Sequence, residues 1–152
     1  MIVTFCGHSD FQKSEKYKQA ILFFLENTIA QNPVELYFGG YGNFDKFAYD
    51  CGKIYKTNHP NTHLVFITPY ISEKYLKIQT EHEKEKYDFV IYPPIESPPK
   101  KFAISYRNKY MIEKSDFVIA YIEHPFGGAY QSYKYAKRKG KIVFNLSGKN
   151  FD

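Results

Sequence analysis

Four short segments fall at predicted strand ends: Gly7-His8-Ser9-Asp10, Gly39-Gly40-Tyr41-Gly42, residues 93–100, and residues 123–128, which end on Gly127-Gly128 just before Ala129 and Tyr130; three of them, all but 93–100, carry glycine beside side chains able to hold or protonate an anion. Glycine lets the main chain approach a ligand closely, and the unbonded N–H groups of a helix's first turn, with the helix dipole, favour phosphate. The chemistry indicated is binding of a phosphorylated, nucleotide-like small molecule. Arg107 adds a planar fork of donors suited to phosphate, with Asn108 beside it, and its alternative role is a salt bridge to Asp116 or Glu123. His8 is a candidate anion donor or general acid, the alternative being a hydrogen-bonded loop residue. Glu123 and Asp45 are the candidate catalytic carboxylates, able to hold a ribose hydroxyl or act as general base, although Asp45 equally suits a helix cap. No metal-ligand cluster, charge relay or Walker lysine is visible, and Gly7 does not open a GxGxxG fingerprint. No metal, NAD, FAD or other cofactor is expected.

These loops are positioned by an alternation of strands and helices. Short apolar, β-branched runs at 2–6, 34–38, 64–68, 87–92, 117–121 and 142–146 read as buried strands. Between them, Ser14 caps a predicted helix to about residue 31, where Tyr17, Ile21, Phe24, Leu25 and Thr28 recur at helical spacing before Pro33. Further helices are predicted from Asn43 or Asp45 to 55, over 103–114 and over 128–139. The mixed-sign stretch 81–86 reads as a solvated helix face or loop, and the prolines of 93–100 as a shaped loop. Apolar strands separated by crossover helices imply a single-domain, Rossmann-like three-layer α/β/α sandwich with a mainly parallel sheet over 1–152. In such sheets ligands bind beyond the strand carboxyl ends, where the strand order changes direction, so the glycine segments fall at the expected place.

The 152 residues suit one domain, and 43% apolar with 24% charged residues is ordinary globular usage. Aromatics reach 19%, as 15 Tyr and 14 Phe with no Trp, so rings line any pocket and exposed ring patches point to a homo-oligomer. The net charge of +5 suits an anionic ligand and is too modest to argue for nucleic acid as a partner. Cys6 and Cys51 lack metal-ligand spacing and are expected to be two buried thiols in a reducing compartment. The first residues carry no basic segment or long apolar run, so a cytoplasmic protein without membrane contact is expected.

Over nearly its whole length the chain resembles the SLOG superfamily, which groups DprA/Smf with the LOG phosphoribohydrolases. It is most similar to the small bacterial and phage-associated members. The resemblance is carried by FCGHSD at 5–10, YFGGYGNFDKFAYD at 37–50, YRNKYMIEKSDFVIAYIE at 106–123 and FGGAYQSYKYAKRKGK at 126–141. It implies a Rossmann-like fold, self-association, and a nucleotide pocket built from the Gly39 and Gly127-Gly128 turns, with Tyr41, Phe126 or Tyr130 available to stack on a base. Arg107 and Met111 match the LOG arginine and methionine, but Tyr133 stands at the position of the LOG catalytic glutamate and Asn108 at that of its lysine. A phenol with an ordinary pKa near ~10 does not replace a carboxylate at neutral pH, so binding in sensing or signalling is expected rather than turnover. The alternatives are a LOG-like N-glycosidase using Glu123 or Asp45, and DprA-like single-stranded nucleic-acid binding through Lys134, Lys137, Arg138, Lys139 and Lys141, interleaved with Tyr130, Tyr133 and Tyr135.

Overall fold

In the computed structural model, which describes residues 1–69, 77, 85–93 and 100–151, the predicted alternation is present. The described elements are β1 (Ile2–Gly7), α1 (Glu15–Phe24), β2 (Val34–Phe38), α2 (Asn43–Asn58), β3 (Thr62–Ile67), β4 (Phe89–Ile91), α3 (Lys100–Lys114), β5 (Phe117–Tyr121), α4 (Gly128–Arg138) and β6 (Ile142–Asn145). All strand pairs are parallel, in the order β4-β3-β2-β1-β5-β6. From β1 the chain winds outward to β4, then crosses back to place β5 on the other side of β1. That reversal is the switch point, with Cys6 opposite Ala120 and Gly7 opposite Tyr121.

Strand residues alternate between two helical layers. Val3, Phe5, Leu36 and Phe38 pack with Ile21, Leu25, Phe44, Ala48 and Tyr55 of the α1/α2 side. On the other face Tyr37, Val65 and Ile67 meet Met111 of α3, and Val118 meets Ile112 and Ala136. The architecture is thus a Rossmann-like sandwich. Fully buried Ile21 and Leu25 each contribute roughly 1.5–3 kcal/mol by leaving water.

Ser14 caps α1 as predicted, its hydroxyl accepting from the Tyr17 N–H at 3.4 Å. The helix does not continue regularly to residue 31. It widens into a π turn over Leu25–Ile29, closed by the Ala30 N–H on the Leu25 carbonyl and ended by Ala30 at φ 54°. The Tyr55 hydroxyl, 3.3 Å from the Leu25 carbonyl and 3.1 Å from that of Ala30, holds this turn from α2. The widened turn buries both Leu25 and Ile29. β3 starts two residues before its predicted position, β4 is shorter than 87–92, and α3 starts earlier than residue 103. Of the predicted 81–86 and 93–100 segments, residues 81–84 and 94–99 lie outside the described residues.

Both cysteines are free, but only Cys51 is buried; Cys6, at the end of β1, is half-buried and lines the cleft described below. Burial pushes both thiols up to about 12. Among the described residues no helix is long and apolar enough to cross a membrane.

Candidate functional site

A cleft of about 410 Å³ opens at the carboxyl ends of the strands around the β1/β5 switch point, lined by Gly7 to Asp10, by Gly39, Tyr41 and Asp45, by Arg107 and Asn108, and by His124 and Phe126 to Ala129. The sheet topology brings these segments together from distant parts of the sequence.

Gly7 is glycine for want of space: a Cβ there would lie 2.3 Å from Cγ of buried Phe44. His8 follows, 6% exposed. Its Nε2 accepts the Glu123 N–H at 3.0 Å, so the ring is neutral with its proton on Nδ1. Burial, then the neighbouring His124, holds His8 below the ordinary imidazole range, against a weaker opposite pull from Asp10 and Glu123. The His8 ring stacks on His124 at 3.7 Å, and His124 stacks on Phe126 at 3.8 Å. A three-ring column therefore leads from the buried strand end to the exposed Phe126.

The Gly39-Gly42 turn is already engaged by the protein itself. Asp45, in the first turn of α2, accepts the Gly39 N–H at 3.1 Å and the Gly40 N–H at 2.8 Å. It therefore caps the preceding turn rather than its own helix, whose start at Gly42 (φ 91°) has no side-chain cap. From α3, the Arg107 guanidinium donates to the Gly39 carbonyl at 2.6 Å and the Ile67 carbonyl at 3.2 Å, and its Nε donates to Asn108 Oδ1 at 2.9 Å. At 3% exposure Arg107 ties the ends of β2 and β3 together while forming part of the cleft wall. The two carboxylates expected as its salt-bridge partners have other bonds: Asp116 accepts the Ile2 N–H, and Glu123 pairs with Lys149.

Glu123 does not line the cleft. Its carboxylate takes the Lys149 ammonium at 2.8 Å and the Tyr121 hydroxyl at 3.0 Å, and these bonds hold it below the usual carboxylate range. Ionisation alone suits a general base, but this carboxylate is bonded to Lys149 and Tyr121 and does not line the cleft. Tyr133, at the position of the LOG glutamate, is 2% exposed and packs with Ala120 and Ile122. Tyr130 lies outside the cleft, against Tyr133 and Phe151.

The start of α4, like that of α2, has no side-chain cap. Gly127, at φ 94°, needs glycine for its backbone. Gly128 has no such need: its backbone is ordinary and a Cβ there would meet nothing within 4 Å. The first-turn N–H groups at Gly128, Ala129 and Tyr130 have no intrahelical acceptor, because the first intrahelical bond is from Gln131 to Gly127. Exposed Tyr41 and Phe126, at 72% and 63%, lie at the rim of this opening. The basic half of α4 is engaged internally, with Lys137 over Tyr133 and both Arg138 and Lys139 over Tyr135, whose hydroxyl bonds Glu113.

Thus the fold gathers Gly7, His8, Ser9, Gly39, Tyr41, Asp45, Arg107, Asn108 and Gly127 to Ala129 around one cleft, and leaves Gly40, Gly42, Glu123 and Tyr130 off its lining. His124, which sequence reasoning passed over, lines the cleft as the middle ring of the column. Its only signal was its position three residues before Gly127. Among the described residues no group of three or more metal-ligating side chains is present.

No family model and no curated protein matches the sequence. Solved structures do match. In fold the chain is similar to DNA processing protein A, DprA. The Streptococcus pneumoniae DprA structure superposes with a TM-score of 0.62 at 17% identity over 99% of this chain. That of Helicobacter pylori, described by its unique single-stranded DNA binding mode, gives 0.59 at 21% identity over 95%. The chain spans 51% and 64% of those two proteins. This likeness corrects the reading that set nucleic acid aside as an unlikely partner. A fold shared with a single-stranded DNA binder means that a net charge of +5 is no ground for setting nucleic acid aside, since affinity depends on where donors and rings lie, not on their sum.

Proposed function

We propose that the chain binds single-stranded nucleic acid at the strand-end cleft, seating one backbone phosphate on the first turn of α4 and stacking bases on Phe126 and Tyr41. The observation that carries this is the start of α4, uncapped and with clear space beside Gly128 where neither backbone nor packing calls for glycine. Close approach of a phosphate explains that glycine. Exposed rings at the rim supply the sequence-tolerant stacking, about 1–3 kcal/mol per base, on which such binding relies. The DprA-like fold supports the same reading. A free nucleotide or nucleotide-derived ligand, bound for sensing, is the second reading, favoured by a cleft of about 410 Å³, within the size range of small-molecule sites. Turnover has less support, since Glu123 is paired away from the cleft and Asp45 is bonded to main chain.

Fluorescence anisotropy with a labelled oligothymidine tests the proposal. Single strands are expected to bind better than duplex of the same length. Phe126→Ala should weaken binding by about 1–3 kcal/mol without changing stability, and Gly128→Val should weaken it further. Equal affinity of wild type and Gly128→Val for the oligomer would refute the placement.

A further inference from the structure

We infer that the inner part of the cleft receives one nucleobase, and that Asn108 selects a base presenting a ring carbonyl, as uracil and thymine do at C4, over one presenting an amino group there, as cytosine does. The inference deepens the nucleic-acid reading above and rests on it.

Because all the strands are parallel, α3 and α4 both start on the strand-end side of the sheet and descend its face. Met111 and Ile112 therefore lie one turn below Asn108, and Ser132 one turn below Gly128; with Thr4 and Cys6 of β1 they line the inner part of the cleft. Asn108 has a defined amide orientation. The Arg107 Nε–H can only donate, so the amide turns Oδ1 towards it, at 2.9 Å. The Nδ2–H donors point away from that bond and have no acceptor among the described residues. Ser132 is only 8% exposed, yet its hydroxyl bonds neither the carbonyl four residues earlier nor any other group among the described residues. Thr4, by contrast, spends its hydroxyl on the Tyr37 carbonyl. His8, at 6% exposure, uses Nε2 on the Glu123 N–H and keeps an unbonded Nδ1–H. Buried polar groups are ordinarily paired, so a hydroxyl and an imidazole N–H this deeply set and left open on one cleft point to a partner that enters from outside.

Amide, hydroxyl and neutral imidazole donors match the carbonyl oxygens of a base, and the sulfur and alkyl groups of Cys6, Met111 and Ile112 suit its flat, uncharged ring better than a phosphate, whose charge would have to leave water. With its oxygen turned to Arg107, Asn108 offers hydrogen to whatever faces it. A carbonyl at C4 accepts that hydrogen, whereas an amino group there sets donor against donor and leaves both unpaired. The Ser132 hydroxyl donates and accepts, so it adds affinity without choosing between bases. Selection thus acts at one position of the strand, while stacking on Phe126 and Tyr41 stays sequence-tolerant.

A carbonyl-bearing base is offered by a strand and by a free nucleoside, and four probes separate the two sources: oligodeoxyuridine and oligodeoxycytidine of equal length, whose bases differ only at C4 and N3, and the nucleosides deoxyuridine and deoxycytidine. Each is titrated calorimetrically into the full chain at neutral pH and one salt concentration. The uracil oligomer is expected to bind about tenfold tighter than the cytosine oligomer. Asn108→Asp keeps an acceptor for the Arg107 Nε–H but replaces the open donors by an acceptor, and should reverse that order; a loss of stability alone would weaken both oligomers alike. Ser132→Ala should weaken both and keep the order. Equal affinity of the wild type for the two oligomers, or an order unchanged in Asn108→Asp, overturns this inference and leaves the nucleic-acid reading standing. Binding of deoxyuridine but of neither oligomer overturns the strand as the source and assigns the base pocket to a free nucleoside. Failure of all four probes overturns both readings.

Discussion

Arg107→Ala separates a side chain that holds the site together from one that holds a ligand. In the structure the guanidinium is 3% exposed and bonds the carbonyls that end β2 and β3, and a Cβ at Gly39 would lie 2.8 Å from its Cζ. Hydrogen bonds from a charged donor contribute about 1.5–3 kcal/mol each. Truncation removes the two carbonyl bonds and the Nε bond to Asn108, and part of the loss is offset because a guanidinium no longer has to be kept out of water. A net loss of about 3 kcal/mol follows, or ~6–12 °C in melting temperature for a chain of this size. Urea and thermal unfolding measure it, with an unchanged urea slope required for the comparison to hold. Arg107→Lys should recover only part of the loss, because a point ammonium cannot serve two divergent carbonyls as the fork does. Oligothymidine affinity, measured at a temperature where the variant is folded, should fall only modestly. A stability loss under about 1 kcal/mol, with an affinity loss of more than about tenfold (roughly 1.4 kcal/mol), would refute the reasoning and make Arg107 a ligand contact.

Gly7→Ala should destabilise by about 1–3 kcal/mol, because its Cβ would fall 2.3–2.4 Å from the ring of Phe44, itself 1% exposed, and the ring has nowhere to retreat; a melting temperature equal to wild type would show that the β1 end can shift. For His8 the folded-state pKa lies below its ordinary value of about 6.5, since burial and His124 disfavour the charged ring. The unfolded chain therefore binds the proton more readily. The stability this contributes is complete above about pH 6.5 and is lost as pH falls from there through the folded value. The urea midpoint of the wild type should drop across that window and that of His8→Gln should drop less; equal slopes would remove His8 as the cause.

Most of the fold was legible because it follows from local pattern. The apolar runs at 34–38 and 117–121 became β2 and β5 with those bounds, and Ser14 caps α1, since strand burial and helix capping depend on residues a few positions apart. The departure at Leu25–Ile29 was not legible: the π turn is held by Tyr55, 25 residues beyond Ala30 and on another helix. The site divides in the same way. Its glycine turns were visible as glycine, and their place at the strand ends follows from the parallel topology.

Which of those turns is open was decided only in three dimensions. Gly39 and Gly127 read alike in sequence, yet one has its N–H filled by Asp45 and its carbonyl held by Arg107, 68 residues away, while the other starts a helix with no cap. Likewise Glu123 read as an acid in a glycine loop, and its side chain proves to be committed to Lys149 while its N–H bonds His8, 115 residues earlier. Residue type and spacing set the inventory of donors and acceptors and the strands that carry them. Which donor meets which acceptor depends on contacts between distant segments, and these exist only once the sheet has brought β1, β2 and β5 side by side.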